Sequence, residues 1–111
     1  MSATNFDQLF KDIIAGVKAI AEASLKEYRK EAKKDGQQAI ENIKDDLQQW
    51  TKELETGSIT EEDLRYLLQE DESLTKMIAL KQAGLAAVHI DQFKNDIIDM
   101  IFSKVIGAVK A

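Results

Sequence analysis

The side chains that could perform acid–base or nucleophilic chemistry are few and scattered in this chain. Its 111 residues include one histidine, His89, and no cysteine, which excludes disulfides and thiolate nucleophiles. Acidic residues cluster at Asp45-Asp46 and at residues 61–63. Such a cluster supplies a general acid and a general base only where burial shifts one carboxyl away from its ordinary pKa. Because polar residues flank both clusters, we expect them on a solvated surface and predict no catalytic residues.

Metal and cofactor sites are also not predicted. A ferritin-type di-iron bundle needs two Glu-x-x-His motifs, but alanine stands three residues before His89 and no second histidine exists. The segment TGSITEED at residues 56–63 resembles the second half of an EF-hand calcium loop and its exit helix. With the loop glycine placed at Gly57, the three earlier ligand positions fall on a lysine, a leucine and a threonine. Lysine and leucine side chains do not bind calcium, so we expect no calcium there.

The composition predicts a single all-α domain over residues 1–111. The chain has no proline, only five glycines, 44% hydrophobic residues and 32% charged residues, a balance that is typical of an ordered helical protein. From Phe6 to Leu54, apolar or small residues recur at steps of three or four, which is the period of one helical face. We therefore predict one continuous helix over about residues 5–55. The only candidate break is Gly36, which follows two lysines and an aspartate.

Two further helices are predicted after this one. Gly57 is suited to a helix C-terminus, and Thr60 with Asp63 three residues later is suited to an N-terminal capping box. These signals predict a short helix over about residues 60–70 and a last helix over about residues 73–109. Small residues are concentrated between Ala79 and Ala87, where we expect two helix backbones to cross closely.

The simplest architecture from these elements is a long antiparallel helical hairpin with coiled-coil-like packing. The short connecting helix would then form the tip of the hairpin, and this tip would be acidic, since residues 60–72 hold six acids and one arginine. A chain break near Gly36 would give the alternative architecture, a monomeric four-helix bundle. The choice between them therefore depends on one glycine.

The hairpin would leave more apolar surface exposed than two helices bury. An apolar arc wider than one packing stripe covers the last helix and faces the apolar start of the first. Exposed apolar patches of several hundred Å² usually mark interfaces, so we predict a homodimer that completes a four-helix bundle. The predicted interface residues are Phe6, Phe10, Ile13, Val17, Phe93, Ile97, Ile101, Phe102, Val105 and Ile106.

The charge pattern limits the partners. A net charge of −5 argues against a nucleic-acid backbone as the main partner. The basic segment KEYRKEAKK at residues 26–34 is either a docking site for an acidic partner or a solvated helix face. No signal peptide and no transmembrane run is expected, which favours a cytoplasmic protein.

Function follows from these patterns only as a class. We predict a non-enzymatic helical module for self-association or protein interaction. The alternative is a peripheral membrane- or lipid-binding protein, because both terminal segments resemble short amphipathic membrane-active helices, although their acids and bases are nearly balanced. An enzyme is the least favoured class.

Overall fold

The computed structural model describes residues 4–110, and this part of the chain is all-helical, without a strand. The all-α prediction is therefore confirmed. The α-helices are α1 (Phe6–Ser24), α2 (Arg29–Asn42), α3 (Lys44–Glu55), α4 (Glu61–Glu70), α5 (Glu72–Lys76), α6 (Ile78–Gln82) and α7 (Ala87–Lys110), with a 3₁₀ turn at Lys26–Tyr28. No helix in residues 4–110 is both long enough and apolar enough to cross a membrane.

The first long helix ends much earlier than the sequence predicts. Leu25 leaves the helical conformation with φ −130° and ψ 57°, and the chain reverses through the 3₁₀ turn. Lys33 on α2 pairs with Glu22 on α1, and Lys44 Nζ on α3 lies 4.9 Å from the ring centroid of Phe10. These contacts show that α2 and α3 run antiparallel to α1. The prediction of a continuous helix over residues 5–55 is therefore wrong.

The last predicted helix is also divided. Met77, with φ 40° and ψ 50°, separates α5 from α6, and Gly84, with φ 89°, lies in the turn before α7. The helix α4 runs antiparallel to α7, because Arg65 bonds Asp99 at 2.8 Å and Lys110 pairs with Glu61 at 3.0 Å. The residues after Thr60 thus form two helical segments, α4–α5–α6 and α7.

Four helical segments pack side by side in a body of 46 × 23 × 18 Å. They are α1, α2–α3, α4–α5–α6 and α7. The turn at residues 25–28 and the loop before α7 lie at the same end, where Tyr28 and Leu85 line one hollow. We call this end, residues 25–30 and 83–89, the loop end. The acidic segment at residues 60–72 is not the tip of a hairpin, because α4 lies along the side of the molecule against α7.

A close helix crossing lies at Gly36, inside α2. A Cβ atom built at this glycine would lie 2.3 Å from Val17 Cγ1, 3.5 Å from Phe93 Cζ and 3.7 Å from Ile97 Cδ1. Gly36 therefore lets α2 approach α1 and α7, and it is not a break, as the alternative architecture required. The close crossing predicted at Ala79–Ala87 is wrong as well, because this stretch contains the turn into α7.

The local signals at helix ends are confirmed. The Thr60 hydroxyl accepts a hydrogen bond from the Asp63 N–H at 3.1 Å, and the Asp63 carboxylate accepts one from the Thr60 N–H at 3.0 Å. Gly57 has the predicted positive φ, 77°. The Asn5 side chain accepts from the Gln8 N–H and begins α1. These caps are local interactions, so the sequence alone identifies them.

Candidate functional site

Most of the predicted interface residues lie inside the chain's own core. Seven of them are at most 9% exposed, and three are partly buried at the edge of the core. The seven are Phe6, Ile13, Val17, Phe93, Ile97, Ile101 and Val105, and the three are Phe10, Phe102 and Ile106.

The apolar arc of α7 is covered by other helices of the same molecule. The helices α1, α3 and α4 all contact α7, and even the partly exposed Phe102 has the Arg65 guanidinium 4.4 Å from its ring centroid. The width of the arc is thus explained by packing within one chain, and it no longer indicates a dimer. Any partner must contact other residues.

One exposed surface is an acidic stripe on α4. Glu62, Tyr66 and Glu70 are spaced by four residues, so they share one face of the helix. All three are exposed, and Tyr66 is 62% exposed. Neither glutamate forms an ion pair within residues 4–110. Tyrosine is enriched in protein-binding surfaces, so the exposed Tyr66 makes this stripe a candidate binding surface.

A second exposed surface of opposite charge is the loop end. Lys26, Arg29 and Lys30 are exposed there beside one acid, Glu27, so the charge is net positive, and none of these side chains forms an ion pair in the described part of the chain. Val88 is 61% exposed, and Leu85 is partly buried against the core. The loop end thus combines unpaired basic groups with accessible apolar side chains.

His89 lies beside two hollows of the loop end and is exposed. One hollow, of about 270 Å³, is lined by Ser24, His89, Gln92 and Asp96 among others. Nucleophilic catalysis requires the serine to be hydrogen-bonded to the histidine base. Within residues 4–110, His89 has no side-chain hydrogen bond to either Ser24 or Asp96. The arrangement brings these three residue types together without the contacts that would activate the serine.

A cleft of about 370 Å³ lies on the surface where α2 packs against α5 and α6. At its edge, the Asp35 carboxylate accepts hydrogen bonds from the Ala79 N–H at 3.0 Å and the Leu80 N–H at 2.8 Å. Asp35 therefore caps α6 from a different helix. This cap is needed because Met77, which precedes α6, offers no side-chain acceptor. Sequence reasoning missed the contact, since the partners are far apart in the chain.

The clearest electrostatic perturbation is at the ion pair between α1 and α2. The hydrogen bond from Lys33, reinforced by the positive charge of that lysine, lowers the pKa of Glu22 below its ordinary value. The two acid clusters, Asp45-Asp46 and residues 61–63, are exposed. No three His, Asp or Glu side chains converge as a metal site within residues 4–110.

No protein-family model, curated protein or solved structure matches this chain.

Proposed function

We propose that this protein is a non-enzymatic helical module that binds proteins, and that a second copy of the chain is one partner. The observation that supports this proposal is the presence of two accessible surfaces of opposite charge on one molecule. The acidic stripe lies on the side of the molecule, on α4, while the loop end lies at its end. A folded molecule does not bring its own two surfaces together, but two copies do so with the loop end of one against the stripe of the other.

Each surface offers an apolar group among its charges. Tyr66 lies between Glu62 and Glu70 on the stripe, and the exposed Val88 lies at the same end as Lys26 and Lys30. Arginine and lysine interact favourably with the face of a tyrosine ring as well as with carboxylates. The contact therefore combines charge pairing with burial of an aromatic side chain, which are the usual determinants of a small interface.

The association is expected to be weak. The bundle is 23 × 18 Å in cross-section, which limits the area buried at the loop end to a few hundred Å². Stable complexes bury about 800 Å² per partner. Exposed ion pairs contribute only about 0.2–1 kcal/mol each, and salt screens them. A head-to-side contact is also heterologous, so it extends into short chains of molecules, whereas the two-fold arrangement predicted from the sequence would stop at a dimer.

Sedimentation velocity at increasing protein concentration tests this proposal. We expect the average mass to rise in 20 mM salt and to fall back towards the monomer in 0.5 M salt. Glu62→Lys/Glu70→Lys and Lys26→Glu/Lys30→Glu each place like charges at the contact, so each variant alone is expected to be monomeric. We expect an equimolar mixture of the two variants to associate. The unmodified loop end of the first variant meets the unmodified stripe of the second, and the two modified surfaces are complementary with reversed charges.

The matched control for Lys26→Glu/Lys30→Glu is Lys11→Glu/Lys18→Glu, which changes the net charge by the same amount at exposed positions of α1. We expect this variant to self-associate as the unmodified protein does. The proposal is wrong if the unmodified protein is monomeric at every concentration in low salt. A closed dimer that persists in high salt and in all of these variants would instead support the two-fold arrangement.

A peripheral membrane protein is a second candidate, and one observation favours it. Val88 and Leu85 combine with Lys26, Arg29 and Lys30 at the loop end, a composition that suits the surface of an anionic bilayer. The terminal segments no longer support this candidate, since their apolar faces pack inside the bundle. Co-sedimentation with phosphatidylserine vesicles and with neutral vesicles tests it. Binding to the anionic vesicles that Lys26→Glu/Lys30→Glu abolishes would support it, and absence of binding to both would exclude it.

A further inference from the structure

We propose that the cleft between α2 and α5–α6 binds a small amphiphilic anion, namely one carboxylate or phosphate group carried on an apolar body. This site is separate from the acidic stripe and does not depend on self-association. Its volume of about 370 Å³ lies within the range of small-molecule sites, about 300–1,000 Å³.

The charges that line the cleft favour an anion. Lys34 lines it from α2 and Lys76 from α5, and neither lysine forms an ion pair within residues 4–110. The carboxylate of the cleft, Asp35, is already engaged, because its two oxygens accept the Ala79 and Leu80 N–H groups. The lining therefore holds two unpaired lysines against one carboxylate whose oxygens already accept backbone hydrogen bonds, and its net charge is positive.

The rest of the lining favours an apolar body with a few polar contacts. Ile78 and Ala79 contribute accessible apolar surface, with the buried Ala39 and Met77 behind them, and the amides of Gln38, Asn42 and Gln82 supply hydrogen-bonding groups. Such a mixture of apolar surface with a small number of polar groups is characteristic of ligand pockets.

The backbone at Met77 explains why a large apolar side chain is exposed in the cleft. Met77 is the only non-glycine residue between 4 and 110 with a positive φ, and this conformation is retained mainly where the surrounding structure requires it. The change of direction buries Met77 and Leu80, which are 2% and 0% exposed, but leaves Ile78 57% exposed. An apolar ligand body against Ile78 would remove that surface from water, which is favourable.

Chemical-shift mapping of the full chain by NMR tests the site with four probes. Octanoate and octyl phosphate carry both an anionic group and an apolar body, octan-1-ol lacks the charge, and inorganic phosphate lacks the apolar body. We expect octanoate, octyl phosphate or both to shift the methyl signals of Met77 and Ile78 and the amide signals of residues 34–42. Octan-1-ol and inorganic phosphate are expected to bind at least ten-fold more weakly. Comparison of the two anionic amphiphiles identifies which head group the site prefers.

Three variants and one control test the assigned residues. Lys34→Gln and Lys76→Gln each remove one positive charge, and we expect each to weaken binding about two- to five-fold, as for an exposed ion pair. Ile78→Ala removes apolar contact and is expected to weaken binding without changing the preference for anions. Lys52→Gln is the matched control, because Lys52 is exposed on α3 and does not line the cleft. Circular dichroism verifies that each variant is folded.

Several outcomes would overturn the proposal. The cleft is not an anion site if octan-1-ol binds as tightly as octanoate, or if the Lys34→Gln/Lys76→Gln double variant binds like the control. Shifts confined to residues outside the cleft, or no shift with any probe at millimolar concentration, would also contradict it.

Discussion

Replacement of Gly36 by alanine tests the close crossing on which the fold depends. Alanine in a helix interior is favoured over glycine by about 1 kcal/mol, so the substitution would stabilise a helix whose surface is free. Here the new Cβ would lie 2.3 Å from Val17 Cγ1, far closer than atoms pack. Val17 is fully buried, and the β-branched valine has essentially one side-chain rotamer in a helix. Overpacking of this kind costs about 1–3 kcal/mol, and subtraction of the helix-propensity gain leaves an expected net loss of up to about 2 kcal/mol.

The decisive measurement is the same substitution in a second background. Val17→Ala removes the methyl group that Gly36→Ala would meet, so Gly36→Ala should then stabilise by roughly the helix-propensity gain of 1 kcal/mol. The sign of the effect is expected to reverse, with a coupling energy of about 1–3 kcal/mol between the two sites. Urea unfolding followed by the fluorescence of the single tryptophan, Trp50, gives each free energy of unfolding. If the slope of the free energy of unfolding against urea concentration is the same in all variants, their unfolding transitions are comparable.

Two other glycines provide matched controls. A Cβ atom at Gly107 in α7 would have nothing within 4 Å, so Gly107→Ala should stabilise by up to about 1 kcal/mol. At Gly16 the nearest atoms, Met100 Sδ at 2.7 Å and Lys104 Cε at 3.1 Å, belong to flexible side chains. Gly16→Ala should therefore be close to neutral. If Gly36→Ala stabilises as much as Gly107→Ala, the packing of α2 against α1 is not as described.

Three further predictions concern polar contacts between helices. Asp35→Ala removes the cap of α6 and should cost about 1–2 kcal/mol in urea unfolding, whereas Asp35→Asn keeps one acceptor and should cost less; equal costs would contradict the two-bond cap. Arg65→Met keeps an apolar stem but removes the charge that lies over the Phe102 ring and bonds Asp99. We expect the free energy of unfolding to fall by about 1 kcal/mol or less, and a larger fall would contradict the exposed, screened character of this pair. The pKa of Glu22, measured by NMR titration, should lie below its ordinary value and return towards it in Lys33→Gln. Since the folded-state pKa is the lowered one, the stabilisation from this pair should be present at neutral pH and disappear as the pH falls through that pKa; a stability difference between Lys33→Gln and the unmodified protein that is unchanged in acid would contradict this.

The sequence predicts the helical class and the helix ends that have side-chain caps, but not the chain reversal. The capping box of Thr60 and Asp63 and the left-handed Gly57 depend on residues within a few positions, so their signals are visible in the sequence. The reversal at Leu25 has neither glycine nor proline. The apolar period continues through it because the turn residues Leu25 and Tyr28 also pack against the core. Periodicity therefore does not distinguish one long helix from two that turn.

The sequence suggests Gly36 as the candidate helix break and residues 79–87 as a close helix crossing, and the structure reverses these two roles. A buried glycine that allows close packing and a glycine that ends a helix look the same in a sequence. Gly36 allows close packing, because a Cβ atom there would meet Val17. Gly84 ends a helix, and its φ is positive. Once α1 and α2 fold back on each other, the apolar arc of α7 is buried within one chain, and the main reason to predict a dimer through that arc no longer applies.

The cleft and the loop end share one basic helix, which links the two proposals. Lys30 and Lys34 are four residues apart on α2, so they are separated by about 6 Å along the helix axis. This distance is shorter than the Debye length of about 30 Å at 0.01 M salt and close to that of 8 Å at 0.15 M. An anion bound beside Lys34 therefore reduces the positive potential at the loop end.

We expect saturating octanoate to weaken self-association at 10 mM salt and to have a progressively smaller effect as the salt concentration rises. By linkage, self-association should weaken octanoate binding by the same factor. Sedimentation velocity with and without octanoate at both salt concentrations measures the coupling, and stronger association in the presence of the bound anion would refute it.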